Sequence, residues 1–149
     1  MTLLPLKTTY EPDETIQFLL LVTNVTSRGQ ERPICLDARM VYNAHVRLEV
    51  ADADGQDVRR PPGVVVFAEP APPLQRDFVY LQPDRFLGRE VLASRDPALT
   101  TALQPSGVYD VSATFESWEE GGQWELHAWT GSMTSNHVRV TITKGEARP

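Results

Sequence analysis

Apolar and polar residues alternate with a period of two along much of the chain. Ile16, Phe18, Leu20 and Val22 fall on one side of an extended backbone. So do Val46, Leu48 and Val50, then Tyr109, Val111, Ala113 and Phe115, and finally Val138, Val140 and Ile142. Successive side chains of a strand point to opposite faces, so each set predicts a strand with one buried row. Further strands are expected near residues 3–8, 34–40, 58–67, 77–81, 86–92 and 124–130. No long segment combines helical spacing with caps. A short helical turn fits 94–102, where Ser94 precedes Asp96, Pro97, Ala98 and Leu99.

Turn signals separate these runs: Glu11-Pro12-Asp13, Ser27-Arg28-Gly29, Asp54-Gly55, Pro61-Pro62-Gly63, Pro83-Asp84, Pro105-Ser106-Gly107 and Gly121-Gly122. Many short, evenly punctuated strands point to a β-sandwich or barrel. The Pro-rich stretch 68–76 reads as a crossover between sheets. One pattern narrows the choice. Tyr109 opens the strongest late strand just after the turn Pro105-Ser106-Gly107. A tyrosine so placed bonds through its hydroxyl to backbone a few residues upstream and pins a Greek-key crossover. The expected fold is therefore all-β: one immunoglobulin-like Greek-key sandwich of about seven to nine antiparallel strands. It would span 1–149 as a single domain, with a core from about 3 to 143 and a tail at 144–149.

The framework residues Tyr10-Glu11-Pro12-Asp13-Glu14, Val22-Thr23-Asn24, Leu81-Gln82-Pro83, Leu103 to Tyr109 and Trp129 to Val138 resemble bacterial immunoglobulin-like domains. Similar frameworks occur in the non-catalytic N-terminal regions of secreted lysine-specific metalloendopeptidases. The opening also looks like macroglobulin-type domains, and intracellular proteinase inhibitors have a related sandwich. The resemblance covers roughly 10–143 and rests on turns and strand edges. It implies a fold and carries no catalytic residue; the endopeptidases' His-Glu-x-x-His motif is absent. Asp13 and Asp84 stand where such turns commonly carry glycine.

The length of 149 residues suits one domain that folds without staples, burying roughly 70% of its unfolded surface. A formal charge of -6 offers no basic stripe for nucleic acid. The single cysteine, Cys35, excludes an intrachain disulfide and reads as a small buried hydrophobe. The longest fully apolar run, Phe18 to Val22, is too short to cross a bilayer. The opening Met1 to Lys7 does not read as a signal peptide. The expected location is cytoplasmic, or exported with a leader removed.

Three carboxylates crowd Asp52, Asp54 and Asp57. A calcium loop starting at Asp52 would need glycine in its sixth place and glutamate in its twelfth; Asp57 and Gly63 stand there. A hairpin with the three-residue loop Ala53-Asp54-Gly55 fits better. It pairs Val50 with Val58, puts Gly55 where positive φ is wanted, and sets Asp52 opposite Gln56 and Asp57 opposite Ala51. A weak calcium site on the three aspartates is the alternative; no other cofactor is expected.

All three tryptophans lie between Phe115 and Trp129. The segment reads as a hairpin turning at Glu119-Glu120-Gly121-Gly122, with Phe115 opposite Leu126 and with Trp118 and Trp129 on the outer face. Exposed aromatics near a loop tip are what binding loops use. The alternative is that both lie under another loop. His45, His127 and His137 show no metal-ligand spacing and read as surface or rim residues. Asn24-Val25-Thr26 fits a glycosylation acceptor. With no nucleophile elbow and no phosphate loop, no enzyme is expected. The expected function is a non-enzymatic accessory module that engages a protein partner, a peptidase being one candidate. Trp118 would anchor, with Glu119, Glu120 and Trp129 beside it; carbohydrate stacking on Trp118 and Trp129 is the other reading.

Overall fold

The computed structural model describes residues 1–25, 32–40, 44–58, 71–95 and 97–144. Ten strands run through them: β1 (Thr2–Pro5), β2 (Thr9–Tyr10), β3 (Gln17–Thr23), β4 (Ile34–Asp37), β5 (Val46–Ala51), β6 (Phe78–Leu81), β7 (Phe86–Leu92), β8 (Gly107–Ser117), β9 (Gly131–Thr134) and β10 (Val138–Ile142). A 3₁₀ turn at Ala93–Arg95 and the helix α1 (Pro97–Ala102) fill the expected helical turn. Three sheets result. One is β1-β3-β7, the second is β2-β10-β8-β5 with β9 also on β8, and the third is the pair β4-β6. The chain is thus all-β, with more strands than expected. The pairing is mixed, since β2 lies parallel to β10. The strand expected at 58–67 lies, beyond Val58, outside the described residues.

The alternation in the sequence becomes the interior. Phe18, Leu20 and Val22 of β3 join Leu3 and Val91 in facing Val46, Leu48, Val50, Val111, Ala113, Phe115 and Val140 across one continuous apolar core. Two sheets packed through alternate residues make a sandwich-like body. The run Phe18 to Val22 is apolar throughout for a local reason. Leu19 and Leu21 point the other way, half-buried over Gly88, where a Cβ would lie 3.1 Å from Leu21 Cδ2. The sheet β4-β6 has two faces as well. Leu36 and Val79 turn to the main core, while Cys35 and Phe78 join Ala128 in a small second cluster.

Polar groups fasten the crossovers. Tyr109 is buried, and its hydroxyl donates to the Pro105 carbonyl at 2.8 Å. Tyr10, also buried, donates to Gln17 O at 3.0 Å and accepts from the Lys7 N–H at 3.1 Å. Asn136 clamps the free side of β1, accepting the Leu3 N–H at 2.8 Å and donating to Leu3 O at 3.2 Å. Asp84 sits at φ 58, the left-handed region in which glycine is at ease. Removing one such bond with its shape retained costs about 1 kcal/mol. Tyr109→Phe is therefore expected to lower the unfolding free energy by that increment, seen as a lower urea midpoint with the slope unchanged. A loss below a few tenths of a kcal/mol would show that the hydroxyl pins nothing.

The hairpin after β5 has the three-residue loop. Ala51 pairs with Asp57, the Asp52 N–H donates to Gln56 O at 2.9 Å, and Val58 N–H donates to Val50 O at 3.1 Å. Gly55 takes φ 77. The Asp52 carboxylate turns back on its own loop, accepting the N–H groups of Asp54 and Gln56 through Oδ1 at 3.0 and 2.9 Å.

Candidate functional site

Past Ser117 the chain leaves β8, and here the expected hairpin is corrected. Residues 124–130 form no strand paired to β8. The return strand is β9, which sets Met133 opposite Phe115 and Gly131 opposite Ser117. Two left-handed residues explain the detour. Gly121 (φ 69) and Glu125 (φ 57) bracket a 3₁₀ turn at Gly122–Trp124, which a two-stranded ladder cannot contain. A Cβ on Gly121 would lie 3.0 Å from Leu126 Cβ and 3.2 Å from the Phe78 ring, so only glycine lets the loop close down here. The loop then runs beside β4. Trp129 N–H donates to Cys35 O at 2.8 Å, and Ala128 bridges Cys35 in parallel.

This path separates the tryptophans. Trp124 tilts onto Phe78, with ring centres 5.6 Å apart, and Trp129 stacks on Phe115 at 6.1 Å. Both are half-buried. Trp118 remains 49% exposed. One face of its indole lies on the His45 imidazole, 4.5 Å between centres and 13° from parallel. Trp118 and Trp129 therefore do not share one open outer platform, because Trp129 is drawn inward onto Phe115. Between the loop Trp118 to Trp124 and the wall Pro72-Pro73 lies an open groove of about 880 Å³.

Beneath the groove is a polar knot that the sequence did not announce. Asp37, fully buried, accepts two bonds from Arg39 Nε at 3.0 Å each, one from Nη2 at 2.6 Å and one from the Arg39 N–H at 3.0 Å. Arg39 Nη1 reaches the Ala71 carbonyl, and Nη2 stands 4.0 Å from Glu119 Oε1. His45 Nε2 lies 3.7 Å from Asp37 Oδ2. His45 is thus no rim residue: it is 1% exposed, walled in by Trp118. Its three polar neighbours come from β4, the turn after it, and the distant loop. The one local hint was the Asp-x-Arg spacing of Asp37 and Arg39, which allows a side chain to bond its own turn.

Burial pushes the His45 imidazole below its ordinary value of 6.5. Arg39 pushes the same way, while Asp37 and Glu119 oppose. A group with a depressed folded-state value stabilises the fold above its unfolded value, and that contribution is lost as pH falls through the folded one. Stability should therefore drop as pH falls through and below the ordinary histidine value of 6.5. His45→Asn should flatten the Tm-against-pH curve there. An unchanged curve would remove His45 as the cause.

The remaining candidates fall out as follows. Among the described residues no three His, Cys, Asp or Glu side chains gather to hold a metal ion. Asp52, Asp54 and Asp57 are spread by the hairpin register, and the Asp52 carboxylate is engaged by its own loop backbone. Cys35 is buried, and burial raises its thiol above the ordinary value, which suits packing better than nucleophilic chemistry. Asn24 is buried, with Nδ2 donating to Arg32 O at 3.0 Å and Leu81 O at 2.9 Å, so the acceptor nitrogen of a glycosylation site is not presented. Glu119 is partly covered and Glu120 exposed at the groove. Among the described residues no helix is long and apolar enough to cross a membrane. No protein-family profile matches the sequence, and no curated protein matches it either.

Proposed function

We propose that this protein is a non-enzymatic binding module on an immunoglobulin-like Greek-key sandwich, holding a segment of a protein partner in the groove between Pro72-Pro73 and the Trp118 loop. The tyrosine-corner bond from Tyr109 to Pro105 supports the immunoglobulin-like reading. The observation that carries the binding reading is the unequal treatment of the tryptophans. Two are packed, while Trp118 keeps one ring face open over a concavity large enough for several side chains. An aromatic anchor held rigid from behind and open in front is the usual make-up of a binding hot spot. The concave shape favours receiving a segment over thrusting a loop into a peptidase cleft.

A peptide-display selection tests this directly. Sequences enriched on the wild type should lose binding on a Trp118→Ala variant of matched fold. Enrichment that ignores Trp118, or no enrichment at all, sinks the groove as the site. The inhibitor version is checked with a protease panel in excess protein, where unchanged rates would end it. The open face of Trp118 also suits a sugar ring, so a glycan array belongs beside the selection; a Trp118-dependent hit there and none among peptides would favour carbohydrate.

A further inference from the structure

We propose that the groove takes an arginine side chain carried on an extended segment of the partner, its guanidinium lying on the open face of Trp118 and reaching the carboxylates of Glu119 and Glu120. This rests on the groove reading and names its ligand. Among the described residues the charged side chains on the groove wall are those two glutamates. Arg39, which stands behind Glu119, is committed to the buried Asp37 through three side-chain bonds and to the Ala71 carbonyl. It leaves the outward side of Glu119 facing the groove without a full counter-charge. The chain's formal charge of -6 acts in the same direction at longer range.

The indole adds the second half of the recognition. A cation is attracted to the face of an aromatic ring, tryptophan most of all, and the attraction strengthens as water is excluded. The face opposite lies on His45, which burial pushes toward the neutral imidazole, and the nearest cation, Arg39, is paired with the buried Asp37, so little positive charge behind the ring opposes one in front. Arginine is favoured over lysine because its planar group both stacks on an indole and forks onto carboxylates. Prolines on the facing wall lack a backbone N–H and leave that side apolar, which suits the aliphatic stem of the same side chain.

The test titrates ¹⁵N-labelled full-length protein with four capped peptides, Ala-Ala-X-Ala-Ala, where X is arginine, lysine, citrulline or glutamate. The arginine peptide should shift the Trp118 indole N–H and the Gly122 amide saturably. Lysine should bind a few-fold more weakly and citrulline about tenfold more weakly. Raising salt from about 50 to about 500 mM should weaken the arginine peptide several-fold. Changing Glu119→Gln and Glu120→Gln together should lower affinity about tenfold. Because Trp118→Ala also bares His45, Gly122→Arg is the second variant. Nothing lies within 4 Å of a Cβ at Gly122, which lines the groove, so a side chain can start from there without displacing a neighbour. It should abolish peptide binding with Tm unchanged.

Equal binding of the arginine and citrulline peptides would overturn this inference while leaving the groove itself a peptide site. Capped free arginine binding as tightly as the peptide would overturn the partner-borne occupant in favour of a small cation. No saturable shift up to about 10 mM of the arginine peptide would overturn it outright. The library selection judges the groove reading separately, through its dependence on Trp118.

Discussion

Asp37→Ala is expected to cost about 3–5 kcal/mol of folding free energy, the largest effect of any single polar change in the described residues. Asp37 is fully buried, and the Arg39 guanidinium that binds it has a side chain only 13% exposed. Removing the carboxylate leaves that cation under the loop with one carbonyl and the more distant carboxylates of Glu119 and Asp77. For a chain of this length the loss corresponds to a Tm lower by roughly 10 °C. A control separates the stranded charge from lost packing. Replacing both partners with apolar residues, Asp37→Leu with Arg39→Leu, removes the stranded cation and should recover much of the loss. Urea unfolding of the two single variants and the double variant gives the coupling directly. A loss under about 1 kcal/mol for Asp37→Ala would mean that water reaches the knot and that its burial is overstated. Asp37 also raises the His45 value, so its removal should move the His45 titration lower still, a shift readable by NMR.

Phe115→Ala should destabilise by a similar amount, about 3–5 kcal/mol, for an unrelated reason. Phe115 is fully buried toward the end of β8, with Val46 opposite on one side and Met133 on the other. Its ring is also the surface on which Trp129 stacks. Truncation opens a cavity in the core and takes away the seat of the loop that shapes the groove. Near-ultraviolet circular dichroism should report a changed Trp129 environment even where the variant remains folded. Phe115→Leu fills most of the volume and should cost less than half as much. Equal costs for the two replacements would argue against a close-packed site.

The body of the fold was legible because its signal is local. Alternation at Ile16 to Val22, Val46 to Val50, Tyr109 to Phe115 and Val138 to Ile142 needs no knowledge of partners, and each inward row is buried save Val138, which packs partly buried against the core. The Asp54-Gly55 loop was equally local, since burial of Val50 and Val58 and the demand for positive φ chose one register together. The site was legible only in part. Trp118, Glu119 and Glu120 could be picked out as a loop, but the path from Trp118 to Trp129 could not. It depends on Glu125 taking a left-handed conformation and on Ala128 meeting Cys35, far away in sequence. The knot of Asp37, Arg39 and His45 was hidden for the same reason, each residue being ordinary until the loop covers it.

Asn136 and the parallel pair β2-β10 join the first strands to the last described one: Thr9 and Tyr10 lie beside Thr141 and Ile142, and Leu3 is held by Asn136. A ribosome emits residue 142 long after residue 10. Until then β1 has only β3 beside it and β2 has no strand partner, and loop closure over so many residues must precede the reward from that last contact. The nascent chain should therefore complete its closure late, within seconds of β10 leaving the exit tunnel rather than strand by strand. Arrest of synthesis before Val138 should leave a chain that proteases still cut readily.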